Sequence, residues 1–420
     1  MARLFQGWVI LAILVVTLGA LGCATYQTRV TQARDLIAQG RFTEAAHDLK
    51  KLAETEGGDQ LVYLLDYAVA LHLAGDLEAS NQALLQAERI AQIQDYHSLS
   101  RISGSLLLSE EMVQYKGEDY EKILIHVFLA LNFLLLGDLD AAQVETRKIN
   151  QMLHLYRTEA GRNYRDYPFA YYVSGMIWEA TGNYDSAHID YKRAYELAPQ
   201  LMFLREDLLR VAVLGRRTED LRHWQEQYPG LEIKPYWRSS DYGELVFIFQ
   251  QGWGPRKRPN SQEPRLPEFR PVLSRTSSAH LKIQGNGLEG MTTAARAERI
   301  LDVNGVAMEA LNEVYGALLA KRIAGIGVKA VVAEQVRQKN EALGLLAWLG
   351  MNLMDRADLR HWSTLPESLQ LHRVFLPVGE YQIAAEGLTS VGLPSGESFK
   401  FESVKILPRS RTFLSWRSLK

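Results

Sequence analysis

The side chains able to do chemistry are few and scattered. Cys23 is the only cysteine in 420 residues, so the chain has one thiol for nucleophilic attack or modification and no second one to pair with it. Ten histidines include no His-Glu-x-x-His and no pair spaced for zinc. Neither a Gly-x-Ser-x-Gly elbow nor a Gly-x-x-x-x-Gly-Lys phosphate loop occurs. Gly285-Asn286-Gly287-Leu288-Glu289-Gly290 fits Gly-x-Gly-x-x-Gly after an apparent strand, Leu281-Lys282-Ile283. A dinucleotide site would also need a helix opening at the third glycine and a parallel crossover, so a flexible turn is expected. Carboxylate pairs for glycosidic cleavage are defined by distance and cannot be read from sequence. The chain is therefore expected to be no enzyme, with no cofactor and no metal.

Three polar groups stand out as candidate partner-binding surfaces. Arg162, Tyr164 and Arg165 lie in a linker with Asn163 and Asp166, where a solvated loop between helices is the bland alternative. Arg256, Lys257 and Arg258 form a basic run that would meet lipid head-group phosphates or an acidic partner if it is not simply solvated. Asp355, Asp358, Arg360 and Trp362, with Arg356, fall within two predicted helical turns, a pattern suited to a salt-bridged junction. A polar cleft with carboxylates facing an aromatic is the functional alternative there.

Around Cys23 the sequence has a positive start at Arg3, an apolar run from Trp8 to Val16, and small residues at Gly19, Ala20 and Gly22. This is the outline of a signal peptide over residues 1–22. The uncharged stretch from Trp8 to Gly22 is shorter than the ~20 residues that span a bilayer. Ala20-Leu21-Gly22-Cys23 resembles a bacterial lipobox, although the first position is more often Leu. The resemblance implies diacylglyceryl and palmitate attachment at Cys23, and Ala24, which is not the inner-membrane retention Asp, implies the outer membrane. Such acyl chains, at about 0.8 kcal/mol per buried methylene, would anchor the protein permanently.

The elements that position these groups begin with a repeat. One phrase (Gly, polar, apolar, polar, polar, small) recurs at Gly40, Gly75, Gly137 and Gly182, with a degenerate fifth copy at Gly215. Each reads as a helix ended by glycine and a next helix opened by an acidic turn. The fourth copy, with Tyr171, Ser174, Gly175, Trp178, Ala187, Tyr191, Ala194 and Pro199, resembles a tetratricopeptide (TPR) repeat. The turn glycines are unevenly spaced, so insertions interrupt the ~34-residue period, the longest at about residues 93–117. Trp178, Phe133 and Tyr191 are expected to pack repeats together. A groove on the concave side would be left for a protein partner.

After Tyr228-Pro229-Gly230 the helical period stops. Glu244 to Phe249 reads as a buried strand, and the proline-rich basic loop at 255–271 is extended and barred from a central strand position. Residues 308–354 return to helix as an insertion, expected to close on the sheet as a helical hairpin. Leu369 to Phe375, the turn Pro377-Val378-Gly379-Glu380 and Tyr381 to Ala385 read as a β-hairpin of an antiparallel sandwich. The predicted fold class is mainly α: a TPR-like helical solenoid over 23–228, then an α+β domain over 229–420.

Gly243 to Val246 leading to Gly254-Pro255-Arg256-Lys257, and Asp355 to Trp362 followed by Thr364-Leu365-Pro366, are similar to an uncharacterised family of TPR lipoproteins of Gram-negative bacteria. The resemblance implies a lipid-anchored periplasmic scaffold with envelope protein partners in its groove, in envelope assembly or peptidoglycan-synthesis regulation. Two alternatives stay open: a peptidoglycan-binding or peptidoglycan-active protein, and an accessory subunit of a secretion or motility complex. A net charge of -2 argues against a nucleic-acid binder, which neutralises phosphates with a basic excess.

Overall fold

A computed structural model describes residues 26–98, 114–285, 292–293, 296–339, 341 and 357–420. Cys23 with the signal-like segment, Asn286 to Gly290, Arg356 and Asp355 lie outside the described residues.

Five antiparallel helix pairs follow in order: α1 (Tyr26–Ala38) with α2 (Phe42–Glu54), α3 (Gln60–Ala74) with α4 (Leu77–Ser98), α5 (Asp119–Leu136) with α6 (Leu139–Thr158), α7 (Pro168–Ala180) with α8 (Tyr184–Leu197), and α9 (Met202–Leu214) with α10 (Thr218–Gln227). The turn phrase explains each junction. Gly40, Gly75, Gly137 and Gly182 have φ of 76°, 84°, 78° and 77°, the left-handed cap that glycine adopts without penalty. At the later three turns the polar residue after the glycine caps the next helix: Asp76 Oδ1 accepts from the Ala79 amide at 3.1 Å, Asp138 Oδ1 from the Ala141 amide at 2.9 Å, and Asn183 Oδ1 from the Ser186 amide at 3.1 Å. The small residue is buried each time, as Ala45, Ser80, Ala142 and Ala187. These are tetratricopeptide-like hairpins.

The second half is built on β1 (Tyr242–Gln251), reached through a 3-10 turn at Pro235–Arg238. It continues with β2 (Arg256–Pro259), β3 (Pro267–Arg270), β4 (Ser278–Gly285), β5 (Thr292–Thr293), β6 (Glu298–Asp302), α11 (Val303–Lys339), β7 (Ser368–Pro377), β8 (Gly379–Leu388), β9 (Pro394–Ile406) and β10 (Arg411–Arg417). Two four-stranded sheets form, in the orders β10-β1-β7-β6 and β5-β4-β8-β9. Leu245, Phe247 and Phe249 of β1 meet Leu281, Ile283, Tyr381, Ile383 and Ala385 in the core between them. As expected, the proline-rich segment stays out of both sheets and folds as a β2-β3 ribbon.

Two expectations are corrected. β7 and β8 do not pair as a hairpin: β7 lies against β1 and β8 against β4 and β9. The Pro377-Val378-Gly379 corner therefore carries the chain from one sheet to the other, because both strands have an apolar face to bury and the sandwich supplies two opposing places for them. Second, the stretch from Ala357 to Trp362 is not helical. It is irregular, and Asp358 meets Arg360 two residues on, Oδ1 accepting from the Arg360 amide at 2.9 Å. The hairpin expected at 308–354 begins as one helix, α11, and its return falls outside the described residues.

Candidate functional site: a repeat groove filled by its own chain

In β1 alternate residues point to opposite sides. Val246 and Ile248 turn away from the sandwich into the core shared with the helices. The first helix of every repeat meets the second half of the chain: Tyr26 of α1, Asp66 and His72 of α3, Glu121 and Phe128 of α5, Glu179 of α7, and Asp207 of α9. Every residue of α5 from Tyr120 to Asn132 is buried, Glu121, Lys122, His126 and Asn132 among them, as befits a mostly apolar helix covered on both sides. The face that the sequence reading left open for a partner carries the protein's own sheet.

The contact centres on an irregular stretch, Ala357 to Glu367, with a turn at Ser363–Thr364. Backbone partners meet it at Leu365, whose carbonyl accepts from the Gly254 amide at 2.7 Å, and at Glu367, whose amide donates to the Gln251 carbonyl at 2.7 Å; before these its polar groups must find side chains. Asp66 Oδ1 accepts from the Thr364 amide at 3.0 Å and the Thr364 hydroxyl at 2.9 Å, with Ser363 Oγ at 3.2 Å. Its Oδ2 accepts from Tyr26 Oη at 2.5 Å. Glu121 Oε1 accepts from the Trp362 amide at 2.6 Å, while Oε2 accepts from Tyr115 Oη at 2.5 Å and the Glu118 amide at 3.1 Å. Carbonyls of the same stretch are taken by Gln27 Nε2 (Leu359, 2.7 Å), Arg256 Nη1 (Ser363, 2.5 Å) and Arg417 (Thr364, 2.5 Å; Leu365, 2.9 Å). Side chains that bind main-chain groups of a non-helical segment are how a groove recognises a peptide; here the peptide is internal.

Burial sets the ionisation. It raises the Asp66 carboxyl against the pull of its hydrogen bonds. Burial, then the charge of Glu118, pushes Glu121 up to about 7. Burial also brings His72 down to about 4 and His361 well below its ordinary value. Neutral His72 fits its partners, with Nδ1 2.5 Å from Asn132 Oδ1 and Nε2 2.7 Å from Gln250 Nε2.

The candidate residues divide accordingly. Trp362 is 2% exposed and packs on Phe128 at 5.3 Å between ring centres, so it is an internal anchor and cannot meet a partner. Arg360 is 4% exposed; it grips Asp358 through Nε (2.9 Å) and Nη2 (2.7 Å), reaches Asp59 at 2.9 Å, and lies over the Tyr115 ring. With Asp358 so engaged and Trp362 buried, the described part of this phrase is the salt-bridged junction and not an open carboxylate cleft. Lys257 is buried against the Glu118 carboxylate, and Arg256 stacks on Trp253 at 5.1 Å. Only Arg258 of the basic run is exposed. It lines an open cleft of about 1150 Å³ between α1 and the β2-β3 ribbon. Arg162 faces Asp119 at 3.5 Å and Tyr164 donates to the same carboxylate at 3.1 Å, which leaves Arg165 exposed.

Sequence reading missed Asp66 and Glu121, although each is an acid inside an otherwise apolar helix face, a costly placement unless hydrogen-bonded. It also missed a buried network at the far end of the groove. Glu179 of α7 receives Arg210 (2.6 Å), Arg373 (2.9 Å) and Arg411 (3.2 Å); Asp207 receives Arg210 at 2.6 Å and Arg373 at 3.2 Å; Glu244 receives Arg373 and Arg411. These three arginines, foremost Arg210, hold Glu179 well below the usual carboxylate range despite burial. No sequence motif links residues so far apart. Among the described residues no group of three or more metal-ligating side chains is found.

The fold and groove define a helical-repeat protein closed upon a β-sandwich. No family model and no curated protein matches the chain. Among solved structures, the chain is similar to MamA (12% identity, 48% of this chain and 94% of the other, TM-score 0.31) and to kinesin-light-chain TPR-like repeats of Podosopora anserina (12%, 48% and 92%, 0.33). It is also similar to the Rap conjugation gene regulator of plasmid pLS20, solved with the Phr* peptide (16%, 44% and 45%, 0.28). The repeat architecture itself rests on the helices and turns of this chain.

Proposed function

We propose that the protein is a non-catalytic scaffold, lipid-anchored through Cys23 to the outer membrane and facing the periplasm, that mediates protein–protein interactions in envelope assembly or the regulation of peptidoglycan synthesis. The observation that carries the scaffold reading is the filled groove. Repeats and the outer face of the β10-β1-β7-β6 sheet share one hydrophobic core, a stiff platform whose binding surfaces are those left outside the groove. The open cleft rimmed by Arg258 is the favoured partner surface. It begins at Gln27 of α1, four residues after Cys23, so an anchored chain would hold it near the lipid, and Arg34 and Arg258 in its lining, beside the acids Asp35, Glu44 and Asp48, give cationic contacts for an acidic segment of an envelope protein. No described helix is long and apolar enough to cross a membrane, so in this reading attachment falls to the lipid.

Cell fractionation tests the anchor: Cys23→Ser is expected to move from membranes to the soluble fraction, and persistent membrane association would overturn it. Site-specific crosslinking from position 258 tests the surface. The expected adduct, with a defined envelope protein, should disappear in Arg34→Glu, a substitution on the opposite wall. Strong binding to purified sacculi with no such adduct would replace this reading with the peptidoglycan-binding one.

A further inference from the structure

We propose that a cleft at the far end of the array from α1, sharing no residue with the Arg258 surface, binds a small ligand bearing oxyanions, a phosphate ester or a polycarboxylate. The cleft, of about 650 Å³, lies where the end of α9 and the turn at Pro235–Arg238 meet the start of β1 and the approach to β10. That volume is in the range of small-molecule sites.

Its charge is one-sided. Glu179 and Glu244 line the floor, but both are consumed by Arg210, Arg373 and Arg411. Arg216, Arg238 and Arg409 line the same cleft, and among the described residues none has a carboxylate partner; the side-chain bond of Arg238 goes to the Val213 carbonyl at 3.0 Å. Guanidinium groups are planar forks matched to carboxylate and phosphate oxygens. Trp237, buried in the same wall, has an indole N–H with no acceptor.

The backbone gives the second observation. Among the described non-glycine residues, positive φ occurs at Arg216 (55°), Arg409 (51°) and Ser403 (44°). Two of these three are rim arginines. Four repeat turns give the left-handed position to glycine, whereas at the fifth Gly215 has φ -79° and Arg216 occupies it. A bulky side chain there is strained, and such strain gathers where function requires a particular residue.

Isothermal titration of the full chain at about 0.15 M salt, where long-range surface attraction is screened, uses inorganic pyrophosphate in one arm and citrate in the other. Saturable binding of one anion is expected, and which one binds decides between phosphate and carboxylate. The double variant Arg216→Gly, Arg409→Gly relieves both strained positions, so it should melt no lower than the parent. Its affinity should fall at least ~tenfold, the effect of losing one charge-assisted hydrogen bond. Arg89→Ala with Arg222→Ala, two exposed arginines elsewhere, should bind as the parent does. Absence of saturable binding in both arms, full affinity in the glycine double variant, or equal loss in the control pair overturns the proposal.

Discussion

Asp66 and Glu121 are acids placed where water does not reach, and each holds the main chain of the 357–367 stretch. Asp66→Ala removes the acceptor of the Thr364 amide and of hydroxyls on Tyr26 and Thr364. Leaving buried donors unpaired is expected to cost about 3 kcal/mol or more, whereas Asp66→Asn, which keeps one carbonyl oxygen, should cost less; urea denaturation measures both. Glu121 gives a pH dependence of definite sign. Its folded value, about 7, lies above the ordinary 4.5, so the folded chain retains a proton that the unfolded chain releases. That stabilisation is complete below the ordinary value and is lost as pH rises through about 7, a change of roughly 3 kcal/mol at most. His72 and His361, displaced downward, act oppositely on the acid side, but they do so equally in wild type and Glu121→Gln. The stability of the wild type relative to Glu121→Gln should therefore fall as pH rises from acid to neutral, and parallel profiles would remove the assignment.

Among the elements, turn glycines and packing glycines have different tasks. Gly137 has φ 78° with no atom within 4 Å of an added Cβ, so Gly137→Ala should cost about 1 kcal/mol of backbone strain alone. Gly175 sits in a helix where an added Cβ would come within 2.7 Å of Tyr191 Cδ1. Overpacking of this kind costs roughly 1–3 kcal/mol, and Tyr191 cannot retreat freely because its hydroxyl bonds Glu179 and Arg373. Gly175→Ala should be the more damaging in chemical denaturation; equal losses would show that Tyr191 moves without cost. Both glycines were legible as a repeat phrase because the helix period and the left-handed cap are local. The β7-β8 corner was misread for the same reason: a hairpin and a sheet-to-sheet corner have similar local sequences and differ in which distant strand each partner finds.

For the whole molecule, the inner faces of the repeats and one face of β1 and β7 form a single core. A chain ended after residue 228 would expose α3 and α5, whose buried faces extend all round. It is expected to lose cooperative unfolding or to aggregate, while the full chain should unfold in one calorimetric transition. Two resolved transitions would show that repeats and sandwich fold independently.

By itself the sequence determined the repeat turns, the continuously apolar β1, the exclusion of the proline-rich segment from the sheets and the uniqueness of Cys23, because these follow from φ preference, periodicity, missing donors and composition. The tertiary structure alone decided that Arg360 and Trp362 face inward, that Asp66 holds Thr364 and Glu121 the Trp362 amide, and that Arg216 and Arg409 share a cleft. Those outcomes depend on the desolvation of charges by elements more than a hundred residues away, and no local pattern records that energy.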